Sequence, residues 1–383
     1  MIVTKKQKQI DRMLLMSVLI LVVLGILMVY SASSVRGAEK WGDSTRFLRS
    51  HVFRVAIGLA LLYIVSKVDY HQWRWITPFL LLFTIFLLIF VLFQPAFHGS
   101  KRSILFMGKR FQPSELMKLT MIFYLAVIFS KGIQFRAVNN KYVVFHFTTV
   151  LIVIGLVFVE PDLGTSLILF GVALTMFFLS GVALPQLTRM ALFIPPVVGI
   201  GILCFPHQKR RMVDFVQFIL GKADMNYQVR QSVIGLAHGG LTGVGYGEGK
   251  QKLSFLPEPF SDFILSSLGE ELGFLGLMLV FILVAVILWR GIRIALRAPD
   301  EYGYLLAGGI TAMIMINAVM NAWVVVNLLP TTGLPFPFLS YGGSSMMIHL
   351  AGIGVLLNIS GRRTVTAREV KLRQFQDEYR EDE

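Results

Sequence analysis

Asp262 is the ionisable side chain whose position in the sequence best suits chemistry at a membrane surface. It follows the stiff segment Leu256-Pro257-Glu258-Pro259 and directly precedes the apolar run Phe263-Ile264-Leu265. A carboxylate at such a boundary is partly desolvated, which raises its pKa towards the range of a general base, whereas the dipole of the following helix opposes that shift. On these residues alone, capping of the following helix is the better supported role.

Other polar residues next to apolar stretches have local explanations. Glu115 and Lys118 have the i, i+3 spacing of an ion pair within one helix, and Ser114 beside Pro113 is typical of an N-cap. We therefore expect this group to serve structure first.

Two further polar groups also read as structural. In the link Glu160-Pro161-Asp162, Asp162 is placed to cap the following helix, and Glu160 is assigned to local structure. Asn317 and Asn321 have the i, i+4 spacing that favours hydrogen bonds between membrane helices.

Two segments have the composition of phosphate-binding loops. The glycine-rich residues 239–250 lack the Walker spacing, because Lys250 is followed by Gln251 rather than Ser or Thr. The segment Ser340-Tyr341-Gly342-Gly343-Ser344-Ser345 leads into an apolar stretch whose first amides could hold a diphosphate. A serine cap with a flexible turn explains the second segment equally well.

The elements that position these residues are predicted to be membrane helices. Of the 383 residues, 55% are hydrophobic and 15% charged, against roughly 25% charged in an average soluble protein. A helix of about 20 residues crosses the hydrocarbon core. The composition therefore predicts an all-α polytopic membrane protein, a single domain over residues 1–383 with about ten transmembrane helices.

Apolar stretches bounded by charged residues give the candidate spans. They are Met13–Tyr30, Arg54–Val65, Trp75–Phe93, Leu116–Phe129, Val143–Val159, Leu163–Val182, Leu187–Phe205, Phe263–Leu288, Tyr304–Val326 and Met346–Ile359.

An even number of spans puts both termini on one side of the membrane. The basic residues divide almost evenly between the two sides, but short loops and tails carry more weight, so the termini are predicted to be cytoplasmic. Residues 1–12 and 360–383 then form cytoplasmic tails. Residues 206–261 form a long extracytoplasmic loop between helices 7 and 8, with a short amphipathic helix at Tyr227–His238.

Composition also excludes several functions. Cys204 is the single cysteine, so an intrachain disulfide is excluded. No two of the seven histidines are one helical turn apart, which excludes the usual zinc spacings. The net charge of +14 accompanies no basic soluble domain and indicates anionic lipid rather than nucleic acid. Two basic clusters on the predicted outer side, Lys101-Arg102 with Lys109-Arg110 and Lys209-Arg210-Arg211, suit either lipid headgroups or an anionic substrate.

Six stretches, in order along nearly the whole chain, resemble the SEDS family of cell-wall glycosyltransferases, the FtsW and RodA type. They are Val29-Tyr30-Ser31-Ala32-Ser33-Ser34, Gln112-Pro113-Ser114-Glu115 with Lys118, Glu160-Pro161-Asp162-Leu163-Gly164-Thr165, Leu256-Pro257-Glu258 through Ser261-Asp262-Phe263, Gly269-Glu270-Glu271-Leu272-Gly273, and Leu329-Pro330-Thr331-Thr332-Gly333 through Phe338-Leu339-Ser340-Tyr341-Gly342-Gly343-Ser344-Ser345. The first and last stretches are more similar to the division branch than to the elongation branch.

The resemblance implies ten transmembrane helices in the bacterial plasma membrane and polymerisation of lipid II, the undecaprenyl-diphosphate disaccharide-pentapeptide, on its outer face. The family's essential aspartate falls on Asp262, which would take the proton of the acceptor 4-hydroxyl as undecaprenyl diphosphate leaves. Basic residues or a divalent ion must stabilise the leaving group. The substrate contacts expected on this basis are Lys109, Lys118, Glu115, Arg102, Arg210, Ser344 and Ser345.

No resident cofactor or metal cage is expected, and Mg²⁺ or Mn²⁺ would arrive with the diphosphate. The family typically works with a class B penicillin-binding protein, which predicts that transpeptidase and other cell-division membrane proteins as partners. Ser103 and Phe260 depart from the family pattern, which often has an aromatic residue and a histidine there. A lipid II flippase, an elongation-type polymerase and a purely structural scaffold remain as alternative functions.

Overall fold

A computed structural model describes residues 10–95, 101–106, 109–130, 140–253 and 255–362. Helices dominate this part of the chain, which confirms the predicted all-α class. The α-helices are α1 Arg12–Trp41, α2 Arg46–Lys67, α3 Trp73–Leu92, α4 Pro113–Phe129, α5 Asn140–Val159, α6 Leu163–Leu179, α7 Leu184–Ala191, α8 Ile194–Cys204, α9 Pro206–Ile219, α10 Tyr227–Gly239, α11 Ile264–Leu296, α12 Glu301–Val325 and α13 Gly343–Ser360.

Two small elements were not predicted. A 3-10 helix at Tyr70–Gln72 precedes α3, and a hairpin joins β1 Ile104–Phe106 to β2 Lys109–Phe111. The strands are antiparallel, with Ile104 opposite Phe111 and Phe106 opposite Lys109. The hairpin directly precedes α4. Of the first predicted basic cluster, Lys109 and Arg110 lie on β2, whereas Lys101 and Arg102 precede β1.

The predicted spans fall on helices, with different lengths at some ends. Among the described residues, seven helical segments are long and apolar enough to cross a membrane: 12–41, 46–67, 70–92, 141–159, 264–296, 301–325 and 343–360. The fourth and sixth predicted spans correspond to α4 and α6, each of 17 residues. The total of ten spans therefore stays a prediction, although the polytopic membrane class is clear.

The seventh predicted span, Leu187–Phe205, is wrong as one continuous helix. It is divided between α7 and α8, which are separated by Leu192 and Phe193. Pro195 and Pro196 stand in the first turn of α8, where their missing amide protons cost nothing. Inside a continuous helix the same prolines would each remove a backbone hydrogen bond and clash with the preceding turn.

Helix α13 forms the centre of the bundle. In its apolar stretch 89% of the residues are buried, compared with 22% in the stretch that contains α3. Its closest neighbours are α2 and α12 on the sides and α4 towards its first turn. A helix that is apolar all round and buried all round fits the core of a membrane bundle.

The two ends of α13 face different structures. At its last residue, the Ser360 hydroxyl accepts a hydrogen bond from the backbone amide of Asp11, 3.1 Å away. The start of α1 and the end of α13 therefore lie side by side. At its first turn, Ser344 contacts the segment before α4. The 18 residues of α13 span about 27 Å at ~1.5 Å per residue. The candidate site lies at the Ser344 end, across the bundle from the junction of Asp11 with Ser360.

Candidate active site

Asp262 lies in the turn that leads into α11. Leu256 and Phe260 bury this segment, and Ser261 N donates to Glu258 O at 3.1 Å to close the turn. Helix α11 begins at Ile264 with Phe263 as its N-cap, and no side chain caps its first amides. The capping role that the sequence favoured for Asp262 is therefore wrong.

The carboxylate of Asp262 is half-buried and has few partners. Among the described residues, its one hydrogen bond comes from the Ser261 hydroxyl, 2.9 Å from Oδ1. Burial raises the pKa of Asp262, while the Ser261 hydrogen bond and the charges of Arg102 and Arg211 oppose the rise. A carboxylate with spare acceptor capacity and a raised pKa is suited to take a proton from a hydroxyl group.

Two arginines, one from each predicted basic cluster, lie around Asp262. A Cβ atom at Gly333 would lie 3.4 Å from Asp262 Oδ2 and 4.0 Å from Arg102 Nη1, so both side chains flank this glycine. Arg211 Nη1 donates to the Thr331 carbonyl oxygen at 2.9 Å. Burial lowers the pKa of Arg211, whereas the charge of Asp262 raises it. Two cations beside one carboxylate can receive the negative charge of a leaving diphosphate.

Gly333 lies close to the Asp262 carboxylate and has an unusual backbone conformation. Its φ is +74°, in the left-handed region that glycine adopts without strain. A side chain here would be strained and would meet Asp262 at van der Waals distance. The glycine therefore leaves the space over Asp262 Oδ2 open.

A second group of polar residues links α4, α6 and α13. Asp162 accepts from Thr165 N at 3.0 Å, which confirms its predicted role as the cap of α6. Gln112 joins two elements, because its Nε2 donates to Asp162 Oδ2 at 2.8 Å and its backbone N donates to Ser344 Oγ at 2.9 Å. Ser344 is thus held beside the start of α4.

Glu160 in the same link has different surroundings. It is fully buried, and neither carboxylate oxygen has a hydrogen-bond partner among the described residues. Burial and the neighbouring charge of Asp162 raise the pKa of Glu160 to about 9, although Arg102 acts in the opposite direction. At neutral pH this side chain is therefore protonated.

Other predicted contacts are distributed around this end of the bundle. Lys118 Nζ lies 2.7 Å from Glu115 Oε2 and both side chains are buried, so the predicted ion pair is confirmed. Ser114 is not the N-cap, since Gln112 holds that position and no side chain caps α4. Ser345 Oγ lies 3.2 Å from His349 Nδ1 on α13.

Two further residues, Arg210 and Lys109, complete the basic predictions. Arg210 is exposed, whereas its neighbour Arg211 is partly buried, donates to Thr331 O and interacts electrostatically with Asp262. Lys109 belongs to β2, but its side chain lies outside the described part of the structure. The catalytic role of Asp262 stays a prediction. So do the substrate roles of Arg102, Lys109, Arg210, Lys118, Glu115, Ser344 and Ser345.

Sequence reasoning missed three contributors to the site. Arg211 lay in a recognised basic cluster, but only the helical phase of α9 distinguishes it from Arg210. Gly333 stood in a family stretch without an assigned role. Asn321 was expected to bond to a neighbouring helix, but its Nδ2 donates to the carbonyl oxygens of Asp262 and Leu334.

Comparison with known proteins identifies the family. Residues 11–365 match the model of the cell cycle proteins FtsW, RodA and SpoVE. The chain is 37% identical over 361 residues to stage V sporulation protein E of Bacillus subtilis (strain 168), covering 93% of this chain and 98% of the relative. It is 38% identical over 361 residues to the probable peptidoglycan glycosyltransferase FtsW of Geobacter sp. (strain M18), covering 92% and 97%.

Solved structures share the fold. The crystal structure of Thermus thermophilus rod shape determining protein RodA superimposes with a TM-score of 0.68 at 23% identity, over 93% of this chain and 98% of that one. A chain from a peptidoglycan synthase complex that coordinates polymerization and crosslinking gives 0.73 at 24% identity, over 92% and 97%. With its ordered motifs, its bundle and the match over residues 11–365, the chain belongs to the FtsW/RodA/SpoVE family.

Proposed function

We propose that the chain is a peptidoglycan glycosyltransferase that polymerises lipid II during cell division. The observation that carries this proposal is the environment of Asp262. Its carboxylate is half-buried, caps no helix, has a raised pKa and is flanked by Arg102 and Arg211. The relatives named as FtsW glycosyltransferases support the activity and favour the division branch.

The reaction transfers a glycosyl group from a lipid diphosphate to a sugar hydroxyl. Asp262 takes the proton of the acceptor 4-hydroxyl, while the oxygen of that hydroxyl bonds to the anomeric carbon of the donor chain. The bond from that carbon to the diphosphate oxygen breaks, and undecaprenyl diphosphate leaves with the electron pair. Arg102 and Arg211 stabilise the charge that develops on the diphosphate.

The charges at the site also bear on a metal requirement. Two arginines lie beside Asp262, and the described residues contain no group of three His, Cys, Asp or Glu side chains suited to hold a metal ion. This donor set suits an anion better than a resident divalent cation. We propose that any Mg²⁺ or Mn²⁺ enters bound to the diphosphate, where it would add to the charge stabilisation.

We place the reaction on the outer face of the bacterial plasma membrane, with both termini and the tail 360–383 in the cytoplasm. In support, the site lies across the bundle from the junction of Asp11 with Ser360. Residues 206–261, including α9 and α10, would then lie outside. An impermeant thiol reagent should label cysteines introduced in α10 on intact cells. Labelling only after permeabilisation would contradict this orientation.

A crosslinking enzyme would join the glycan strands that the proposed activity makes. A structural neighbour belongs to a peptidoglycan synthase complex that coordinates polymerization and crosslinking. We propose that this chain works with a class B penicillin-binding protein and with other cell-division membrane proteins. Copurification of the chain with the transpeptidase is the corresponding test.

Single-turnover reactions with labelled lipid II test the function itself. The purified chain, alone and with its transpeptidase partner, should yield glycan, and the Asp262→Asn protein should not. Exchange of lipid II between the leaflets of a vesicle without glycan would instead identify a flippase. The absence of both activities in a folded complex would favour a scaffold.

A further inference from the structure

Asn321 connects the two chain segments that meet at Asp262. It lies near the end of α12 and is 1% exposed. Its Nδ2 donates to the backbone carbonyl oxygen of Asp262 at 2.8 Å and to that of Leu334 at 2.6 Å. A side-chain amide has two N–H donors, so these bonds use the complete donor capacity of the group.

The first bond acts on the backbone of Asp262. The carbonyl belongs to the residue whose carboxylate is proposed to react, and its position helps to set the direction of the Cα–Cβ bond. The preceding residues include Glu258 at φ +52°, an unusual conformation for a residue with a side chain. A turn that contains such a residue keeps its shape when the surrounding contacts hold it.

The second bond acts on the segment opposite the carboxylate. Leu334 follows Gly333, the glycine that flanks Asp262 Oδ2. Three residues before Leu334, the Thr331 carbonyl oxygen accepts a hydrogen bond from Arg211. The turn 331–334 is therefore held at one end by Arg211 and at the other by Asn321.

We propose that Asn321 is a positioning residue for Asp262: through one amide group it fixes the distance between the reactive carboxylate and the turn that carries Gly333. This inference rests on the proposed role of Asp262 as the base. Asn321 does not touch the substrate, and its effect on the rate passes through the geometry of Asp262.

Helix α12 provides a matched control. Asn317 lies one turn before Asn321 and is 0% exposed. Its Nδ2 donates to the Pro335 carbonyl oxygen at 3.1 Å, in the same loop but without a bond to the Asp262 segment. Asn317→Ala and Asn321→Ala remove the same atoms from the same helix face and differ in the carbonyl groups that they release.

The first measurement is the steady-state rate of glycan formation by the full complex. A catalytic group displaced by about 1 Å can lose roughly 100-fold in rate. We expect Asn321→Ala to lower kcat by roughly tenfold to 100-fold with KM changed less than about threefold, because the substrate contacts remain. Asn317→Ala should retain most of the activity, and its melting temperature in detergent should be similar to that of Asn321→Ala. Equal rates for the two alanine variants would overturn the proposal.

A double variant separates positioning from general damage to the fold. If Asn321 acts through Asp262, Asn321→Ala should cause little further loss in the Asp262→Asn background. Multiplied losses would show that Asn321 acts elsewhere and would contradict the inference.

Hydrogen exchange gives a readout that does not depend on activity. Amide exchange in residues 261–264 and 331–334 should increase in Asn321→Ala and remain near wild type in Asn317→Ala. Unchanged exchange in both segments would overturn the inference. If Asp262→Asn were fully active, the base assignment would fail, but the exchange data would still decide whether Asn321 holds the two segments together.

Discussion

Asp262 and Glu271 are carboxylates near the start of the same helix, and their surroundings are opposite. Glu271 is 1% exposed. Its oxygens accept from Ser31 Oγ at 2.6 Å, Lys252 Nζ at 2.9 Å and Gly247 N at 3.0 Å. Asp262 is half-buried and accepts from Ser261. The protein occupies acceptor sites on both oxygens of Glu271, whereas Asp262 keeps acceptor capacity beyond its bond to Ser261.

The surroundings of Glu270 and Glu271 also explain what the glycine-rich segment binds. Its amides bind protein carboxylates rather than a phosphate, since Lys250 N and Gln251 N donate to Glu270 at 2.9 and 3.1 Å. Helix α11 is broken at Gly273, where φ is +66°. The segment completes the backbone bonding at the break, with Val244 N bonded to Glu270 O at 3.0 Å and Phe274 N bonded to Gly240 O at 2.9 Å.

This difference suggests a rule for carboxylates in membrane bundles. A broken helix is tolerated in a membrane protein where other protein groups satisfy its backbone. Glu270 and Glu271 anchor the segment that does so. A buried carboxylate whose oxygens all accept hydrogen bonds from the protein thus indicates a structural role. A carboxylate at a polar surface with few such hydrogen bonds indicates a chemical role.

The largest expected effect is that of Asp262→Asn. The amide cannot accept the proton, so polymerisation should fall by roughly 100-fold to 10,000-fold, the usual contribution of general base catalysis. Membrane insertion and lipid II binding should stay near normal, because Asp262 caps no helix. In the wild type, the rate should fall as the pH drops through the raised pKa of Asp262, since the base must be ionised. A folded variant that polymerises at the wild-type rate would refute the assignment.

Lys252→Met, in contrast, is expected to lower the stability of the fold. Lys252 is 8% exposed and pairs with Glu271, so its loss leaves a buried charge without its cation. Removing one partner of a buried pair costs about 3–5 kcal/mol. Denaturant titration should show this loss in the free energy of unfolding. The exposed Lys250 provides the control, because only its backbone amide contacts Glu270. Equal stability of Lys250→Met and Lys252→Met would contradict the structural role.

Arg211 and Arg210 test how far the site extends. Arg211→Gln removes a charged group beside Asp262 and its bond to Thr331 O, and hydrogen bonds to charged groups contribute about 1.5–3 kcal/mol. Glycan formation should fall by roughly tenfold to 100-fold. Arg210→Gln removes an exposed charge and should have a smaller effect. A larger loss in Arg210→Gln would move the diphosphate contact to the outer surface of α9.

Local contacts were predictable from the sequence, and contacts between distant segments were not. The Asp162 cap and the Glu115–Lys118 pair follow from spacing within one helix. The membrane helices follow from long apolar stretches, except where paired prolines divide the seventh. The pairing of Lys252 with Glu271 and of Asn321 with Asp262 depends on tertiary packing. Arg211 was missed because a short helix in a loop gives no sign of which face turns inward.

The smallest expected effect on activity concerns Glu160, the buried carboxylate without a hydrogen-bond partner among the described residues. Its pKa is about 9, so Glu160→Gln replaces one neutral side chain by another near neutral pH and should change the rate much less than Asp262→Asn. The wild type has a pH-dependent stability that the variant lacks. The folded state retains the Glu160 proton above the usual carboxyl pKa of 4.5. The contribution of this group to the free energy of unfolding should therefore be fully present below pH 4.5 and should fall as the pH rises towards about 9. Melting temperatures from pH 5 to pH 9 should therefore decline more steeply in the wild type than in Glu160→Gln. Parallel curves would show that Glu160 is ionised in the folded protein, and a rate loss as large as that of Asp262→Asn would give it a part in the reaction.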